Sequence, residues 1–139
     1  SLSVTTDLIA GFPGETDDDF QQTMTIAEQI GFSKIHVFGF SPRKNTPAAK
    51  MPGRINPAVI RTRSMQLGAL DRKLQRQFCR QFIGTTVKVL VENYRLPKGR
   101  AERYFMVNLS GLPEAARLKP NDTVQINLKQ EMIETQLET

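Results

Sequence analysis

This 139-residue sequence has no tryptophan, one cysteine, one histidine and two tyrosines. The lone Cys79 excludes an internal disulfide and any cysteine-rich metal site built within this chain, and it suits a reducing, cytoplasmic setting. No apolar run approaches the roughly 20 residues that cross a bilayer, so no membrane-spanning helix and no membrane partner are expected. Ser1 opens directly into a strand-like stretch, without the basic start and apolar core of a secretory signal. Basic residues are missing altogether from residues 1–33, which carry Asp7, Glu15, Asp17, Asp18, Asp19 and Glu28. All 19 Lys and Arg lie in residues 34–129, where they face only five acids, and the tail from Gln130 is again purely acidic. The overall charge of +5 therefore hides a strongly basic middle, which suits a polyanionic partner.

What is present reads as α/β followed by all-β. Residues 3–10 are β-branched and apolar and stop at the chain-turning Gly11-Phe12-Pro13-Gly14. Thr16 is placed to cap a helix whose first turn holds three aspartates, and Phe20, Met24, Ala27 and Ile30 recur at helical spacing until Gly31. Residues 35–40 form a second short apolar stretch, read as a strand covered on both faces. This is the β-loop-α-β crossover of a parallel sheet. Two such strands cannot close a barrel or complete a doubly wound sheet, so the chain reads as the tail of a larger enzyme. Its open strand edges and uncovered apolar faces favour self-association, and a dimer is expected.

A proline-rich loop follows, and Asn56-Pro57 then starts a helix with Ile60, Leu67, Leu70, Leu74 and Phe78 on one face. Arg61, Arg63, Arg72, Lys73, Arg76 and Arg80 take much of the rest, either as a solvated face or as a basic rib along a nucleic-acid backbone. Beyond Gly84 the period becomes strand-like, in residues 85–92, 103–109 and 123–128. Turn residues between them, Pro97 and Gly99 included, indicate a small β-barrel or sandwich. The boundaries read as 1–56, a linker helix 57–81, and a β-domain 82–139.

Ligands of parallel α/β sheets bind at the carboxyl ends of the strands. The turn after the first strand has neither the dinucleotide fingerprint nor the spacing and lysine of a P-loop. Its small residues let backbone approach a planar ligand, and Asp7 and Glu15 offer acceptors. In the second loop Arg43 follows a strand end, where a guanidinium clamps a carboxylate or phosphate bidentately. His36 lies inside the strand and reads as a wall residue in preference to a catalyst.

Together these segments resemble the C-terminal part of the radical S-adenosylmethionine tRNA methylthiotransferases. The resemblance rests on residues 6–16 (TDLIAGFPGET), residues 36–48 (HVFGFSPRKNTPA), the basic helix, and a β-domain similar to a TRAM domain (residues 84–92, Gly99-Arg100 and residues 118–124). It implies the last part of a radical S-adenosylmethionine (β/α) barrel, a linker helix and a small OB-like TRAM barrel. It further implies an enzyme that methylthiolates C2 of a hypermodified adenosine beside the anticodon, with S-adenosylmethionine and two [4Fe–4S] clusters in the intact protein. The cluster motif C-x3-C-x2-C is absent here, so this fragment holds no metal ligands or catalytic residues and is expected to be inactive alone. His36-Val37-Phe38 is closer to the branch acting on threonylcarbamoyladenosine than to the isopentenyladenosine branch. Asn45 stands where the family usually has glycine, which demands a left-handed asparagine if the loop keeps its form.

By this resemblance Asp7, Gly11, Glu15, His36, Phe38, Ser41 and Arg43 line the cofactor or substrate pocket. In the β-domain, Lys88, Arg95, Lys98, Arg100, Arg103 and Lys119 are placed to meet phosphates of the tRNA anticodon arm. Tyr94 and Tyr104 are stacking surfaces, unless Tyr104 packs into the barrel. The alternative is a stand-alone RNA-binding module without catalysis.

Overall fold

A computed structural model describes residues 2–93 and 97–134. The chain divides into two compact units, Val4–Leu74 and Gln75–Thr139 together with Ser1–Ser3, and the division falls inside a helix.

The first unit is built from β1 (Thr5–Ala10), α1 (Asp17–Ile30), β2 (Lys34–Gly39) and most of α2 (Pro57–Arg80). Thr16 starts α1 with a capping box: its hydroxyl accepts from the Asp19 amide, and the Asp19 carboxylate accepts from the Thr16 amide. Hydrogen bonds from the Thr16 side chain and then its backbone hold the Asp19 carboxyl below its ordinary pKa. Gly31, at φ 69°, ends the helix in the left-handed conformation. Asn56 opens α2 by accepting the Ala58 amide at 2.8 Å, with Pro57 at the first position.

β1 and β2 pair in parallel, Thr5 opposite Lys34 through Ala10 opposite Gly39. Ala10 and Ile35, with Leu8 and Val37, pack against Phe20, Met24 and Ala27 of α1 and Leu67, Leu70 and Leu74 of α2. The opposite face carries Asp7, Ile9, His36 and Phe38, all exposed. The second strand is thus not covered on both faces. Both helices of this unit pack on the side of Leu8 and Val37, and Phe38 on the other side remains 52% exposed.

The second unit holds an antiparallel sheet in the order β5-β4-β3-β6, from β3 (Thr86–Asn93), β4 (Lys98–Ala101), β5 (Met106–Asn108) and β6 (Thr123–Asn127). Val87, Val89 and Val91 face inward at 1% exposure or less, and meet Phe78, Phe82, Phe105, Leu109 and Leu128. Phe82 stacks on Phe105 at 5.7 Å, and Phe78 meets Phe82 edge-on at 5.2 Å. Met132 and Ile133 of the short α3 (Glu131–Glu134) complete this core.

Two expectations are corrected here. Among the described residues no barrel closes, because β5 lies beside α3 and never pairs with β6. The stretch expected as a strand over 103–109 shortens to β5, since residues before it turn: Tyr104 has φ 67° and its amide returns to Ala101 O at 2.8 Å. The lost strand reappears upstream as β4, where Gly99 had the look of a turn residue. A Cβ at Gly99 would overlap the Leu90 carbonyl, so glycine serves close strand approach there.

Candidate functional site

Two loops leave the carboxyl ends of the parallel strands, and their backbones are interlocked. After β1, Gly11 takes φ 77° and Glu15 N donates to Phe12 O at 2.9 Å, which folds the turn back on itself. Glu15 Oε2 accepts the Gly11 amide at 2.8 Å. A Cβ on Gly11 would overlap Ile60 of α2, so the turn sits directly against that helix. Gly14 N donates to Gly53 O at 2.8 Å, which ties this loop to the segment preceding α2. After β2, Phe40 N donates to Ala10 O at 2.8 Å and extends the ladder past the strand.

Asn45 resolves the second loop. Its φ of 70° is left-handed, as the loop requires, and the short amide side chain tolerates it. The next residue, Thr46, donates its hydroxyl to Arg43 O at 2.8 Å and caps the 3-10 turn Pro47–Lys50. Arg43 lines a cleft of about 370 Å³ together with Ile9, Phe12, Phe38, Phe40 and Ser41. Phe12 and Phe40 meet edge-to-face at 5.4 Å. The Arg43 guanidinium is exposed and makes no ion pair with another described residue. The cleft therefore offers aromatic and aliphatic walls and, among the described residues that line it, a cation without an ion pair. That combination suits a planar heterocycle bearing an anionic group.

The structure gathers Phe38, Ser41 and Arg43 into this cleft. Asp7 and His36 sit opposite each other across β1 and β2, one exposed pair below Ile9 and Phe38. Gly11 is buried beneath the loop, and the Glu15 carboxylate, 12% exposed, points inward to Arg63. Sequence reasoning missed Phe12 and Phe40 as walls, and above all Arg63. Assigned to the basic face of the helix, Arg63 is buried at 6% exposure. Its Nη1 donates to Glu15 Oε2 at 2.5 Å and to Glu15 O at 3.1 Å, and its Nη2 donates to Asp17 Oδ1 at 2.6 Å. Asp17, and then Glu15, hold its pKa above the ordinary arginine value against the opposing effect of burial. The spacing carried the signal: Arg63 falls three residues after Ile60 and four before Leu67, on the apolar stripe. Lys73 of the same expected rib pairs with Glu28, so these two cations serve the fold.

In the second unit the outer face of the sheet carries Lys88 and Leu90 of β3, opposite Gln125 and Thr123 of β6. Lys88, Lys98 and Lys119 make no ion pair with another described residue. Arg100 is engaged, donating to Glu92 at 2.7 Å and to Tyr104 O at 3.2 Å. Arg103 lies over the Phe82 ring at 4.7 Å and pairs with Glu102 at 3.0 Å. Tyr104 does not pack into a core; it is 73% exposed, raised by its left-handed turn. Tyr94 and Arg95 lie outside the described residues.

Among the described residues no group of His, Cys, Asp and Glu is arranged to hold a metal ion. Cys79 is buried in the α2 end of the second core, and desolvation pushes its thiol up to about 12. A protonated, buried thiol does not fit the ligand set of an iron–sulfur cluster, which needs accessible thiolates. No described helix is long and apolar enough to cross a membrane.

No protein-family model matches the chain. It is 38% identical over 135 residues to the tRNA-2-methylthio-N(6)-dimethylallyladenosine synthase of Corynebacterium urealyticum, which covers 91% of this chain and 24% of that protein. The synthase of the same name from Bacillus subtilis is 36% identical over 120 residues, covering 83% of this chain and 24% of the relative. A threonylcarbamoyladenosine tRNA methylthiotransferase of Thermotoga maritima is 42% identical over 93 residues, or 67% of this chain and 21% of the relative. The relatives are thus tRNA methylthiotransferases of two branches, and the chain spans about a quarter of their length.

Proposed function

We propose that this chain is a C-terminal portion of a tRNA methylthiotransferase, contributing one wall of the substrate pocket and a docking face for the anticodon arm. The observation that carries the reading is the cleft. In a chain whose relatives modify tRNA, loops from two adjacent parallel strands bring Phe12, Phe38, Phe40 and Arg43 around one opening. One ring of the Phe12–Phe40 pair takes the flat face of an adenine while the other, nearly perpendicular, meets its edge. Ile9 and Phe38 exclude water beside it, and Arg43 pairs with a carboxylate such as that of S-adenosylmethionine. That cofactor, when bound, supplies the radical and methyl chemistry of the intact enzyme, which methylthiolates C2 of a hypermodified adenosine. Iron–sulfur clusters belong to parts of the enzyme outside this chain. His36-Val37-Phe38 favours threonylcarbamoyladenosine as the substrate.

Docking falls to the β-sheet unit, where Lys88, Lys98 and Lys119 lack acidic partners among the described residues and Tyr104 offers an exposed ring. A base stacked on such a ring contributes about 1–3 kcal/mol. The test is a fluorescence titration of tRNA with the 139-residue chain over a series of salt concentrations. Log affinity falls linearly with log salt, and Lys88→Ala and Lys119→Ala each lower the slope by about one. In parallel, Arg43→Ala weakens S-adenosylmethionine binding by about tenfold, the loss of one charge-assisted contact. Salt-independent or absent tRNA binding removes the docking role, and unchanged S-adenosylmethionine affinity in Arg43→Ala removes the cleft assignment.

A further inference from the structure

The Arg63–Glu15 pair does more than neutralise two buried charges. Glu15 Oε2 is shared between Arg63 Nη1 and the Gly11 amide, so a single carboxylate oxygen joins α2 to the first residue after β1. Phe12 follows Gly11 directly, and its carbonyl accepts the Glu15 amide. The ring of Phe12 is thus carried on a five-residue loop, residues 11–15, whose Glu15 end is bonded to the guanidinium and whose Gly11 end is tied to it through the shared Glu15 carboxylate. Arg63 is itself fixed, lying over the Phe20 ring at 5.4 Å and bonded through its other nitrogen to Asp17. Rotation of the guanidinium would break contacts on three sides. Phe12 itself is 41% exposed.

We infer that Arg63 is a positioning residue of the cleft: acting through Glu15, it holds residues 11–15 in the shape that sets Phe12 edge-on to Phe40. This deepens the cleft assignment above and rests on it for its consequence on ligand binding, though not for the geometry itself. Asp17 has a different part. It anchors the second guanidinium nitrogen but does not touch the loop amide, so its loss should leave the relay standing.

The geometry is read without any ligand, from nuclear Overhauser contacts between the Phe12 and Phe40 rings and from the Gly11 amide shift in the 139-residue chain. Expected is loss of the ring contact in Arg63→Gln and in Glu15→Ala, its partial return in Arg63→Lys, and its persistence in Asp17→Asn. Leu70→Ala, which loosens the same unit through its core, also keeps the contact. If Arg63→Gln does not fold, Glu15→Ala against Asp17→Asn decides the matter alone. A ring contact retained in Glu15→Ala, or lost equally in Asp17→Asn and Leu70→Ala, overturns the inference. Titration with S-adenosylmethionine separates the two levels: affinity falls about tenfold in the variants that lose the contact. Lost contact with unchanged affinity upholds the positioning role and sinks the cleft's assignment to that ligand.

Discussion

Asp71 of α2 accepts the backbone amide of Ile35 at 2.7 Å, and so a helix side chain occupies the outer edge of β2 where a further strand would hydrogen-bond. The same carboxylate, 8% exposed, receives Lys34 Nζ at 2.6 Å. An edge strand ordinarily presents unpaired amides as a template for another chain. Here the start of the edge is closed from within the unit.

Asp71→Ala therefore leaves the Ile35 amide unsatisfied. A buried unpaired donor costs about 1–3 kcal/mol, and most of that should appear as lost stability. Urea unfolding followed by circular dichroism measures it. Lys34→Ala removes only the half-exposed partner, for which a loss of about 0–1 kcal/mol is expected. Equal losses in the two variants would mean that the ion pair, and not the amide, is what Asp71 serves.

Gly11 and Gly14 both have left-handed backbone, at φ 77° and 86°, but their surroundings differ. A Cβ at Gly14 meets nothing within 4 Å, whereas one at Gly11 runs into Ile60. Gly14→Ala should cost about 1–2 kcal/mol from conformation alone. Gly11→Ala adds an overpacking penalty of about 1–3 kcal/mol. Paired thermal melts of the two variants give the difference, which vanishes if α2 can shift away.

At Asn45, with φ 70°, glycine substitution relieves the left-handed conformation but enlarges the freedom of the unfolded chain. The two effects oppose each other, so Asn45→Gly should change stability by no more than about 1 kcal/mol. Asn45→Val is harsher, since a β-branched residue resists this region. It should displace Arg43 as well, through the Thr46 hydroxyl bond to the Arg43 carbonyl. A drop in S-adenosylmethionine affinity beyond that of Asn45→Gly is the readout.

Cys79 makes a pH prediction with a definite sign. Burial raises its pKa from 9.0 to about 12, so the folded chain keeps the thiol proton that the unfolded chain releases. This contribution to stability is fully present below pH 9 and is lost as pH rises towards 12. Cys79→Ala should flatten that alkaline fall at the expense of a small core cavity. Iodoacetamide at pH 8 should label the folded chain far more slowly than the urea-unfolded chain, and equal rates would contradict the buried thiol.

Much of the first unit was legible before any coordinates. Thr16, Gly31 and Asn56-Pro57 mark helix ends because capping is local chemistry, settled within a few residues of chain. The parallel pairing of the two strands followed from the helix between them, and the left-handed Asn45 from its place in a glycine position. Legibility failed where a distant partner decided. Arg63 read as a surface cation because its two acids lie 48 and 46 residues away in sequence. Gly99 read as a turn because the Leu90 backbone that excludes a side chain there is invisible in the local pattern.

In the first unit, sequence alone determined the helices, the parallel strands, the helix caps and the two loops that carry the candidate site, and along the whole chain it determined the charge partition. These depend on short-range periodicity and on backbone preferences that each residue brings with it. Tertiary structure alone decided which cations are free. It buried Arg63 against Glu15 and engaged Arg100 with Glu92, while Arg43 and Lys88 make no ion pair with another described residue. It also decided that Phe12 and Phe40, 28 positions apart, share one cleft, and that among the described residues the β-strands of the second unit do not close into a barrel. The physical reason is common to all of them: a charge or a ring acquires its role from what lies within a few ångströms, and folding chooses those neighbours without regard to their distance along the chain.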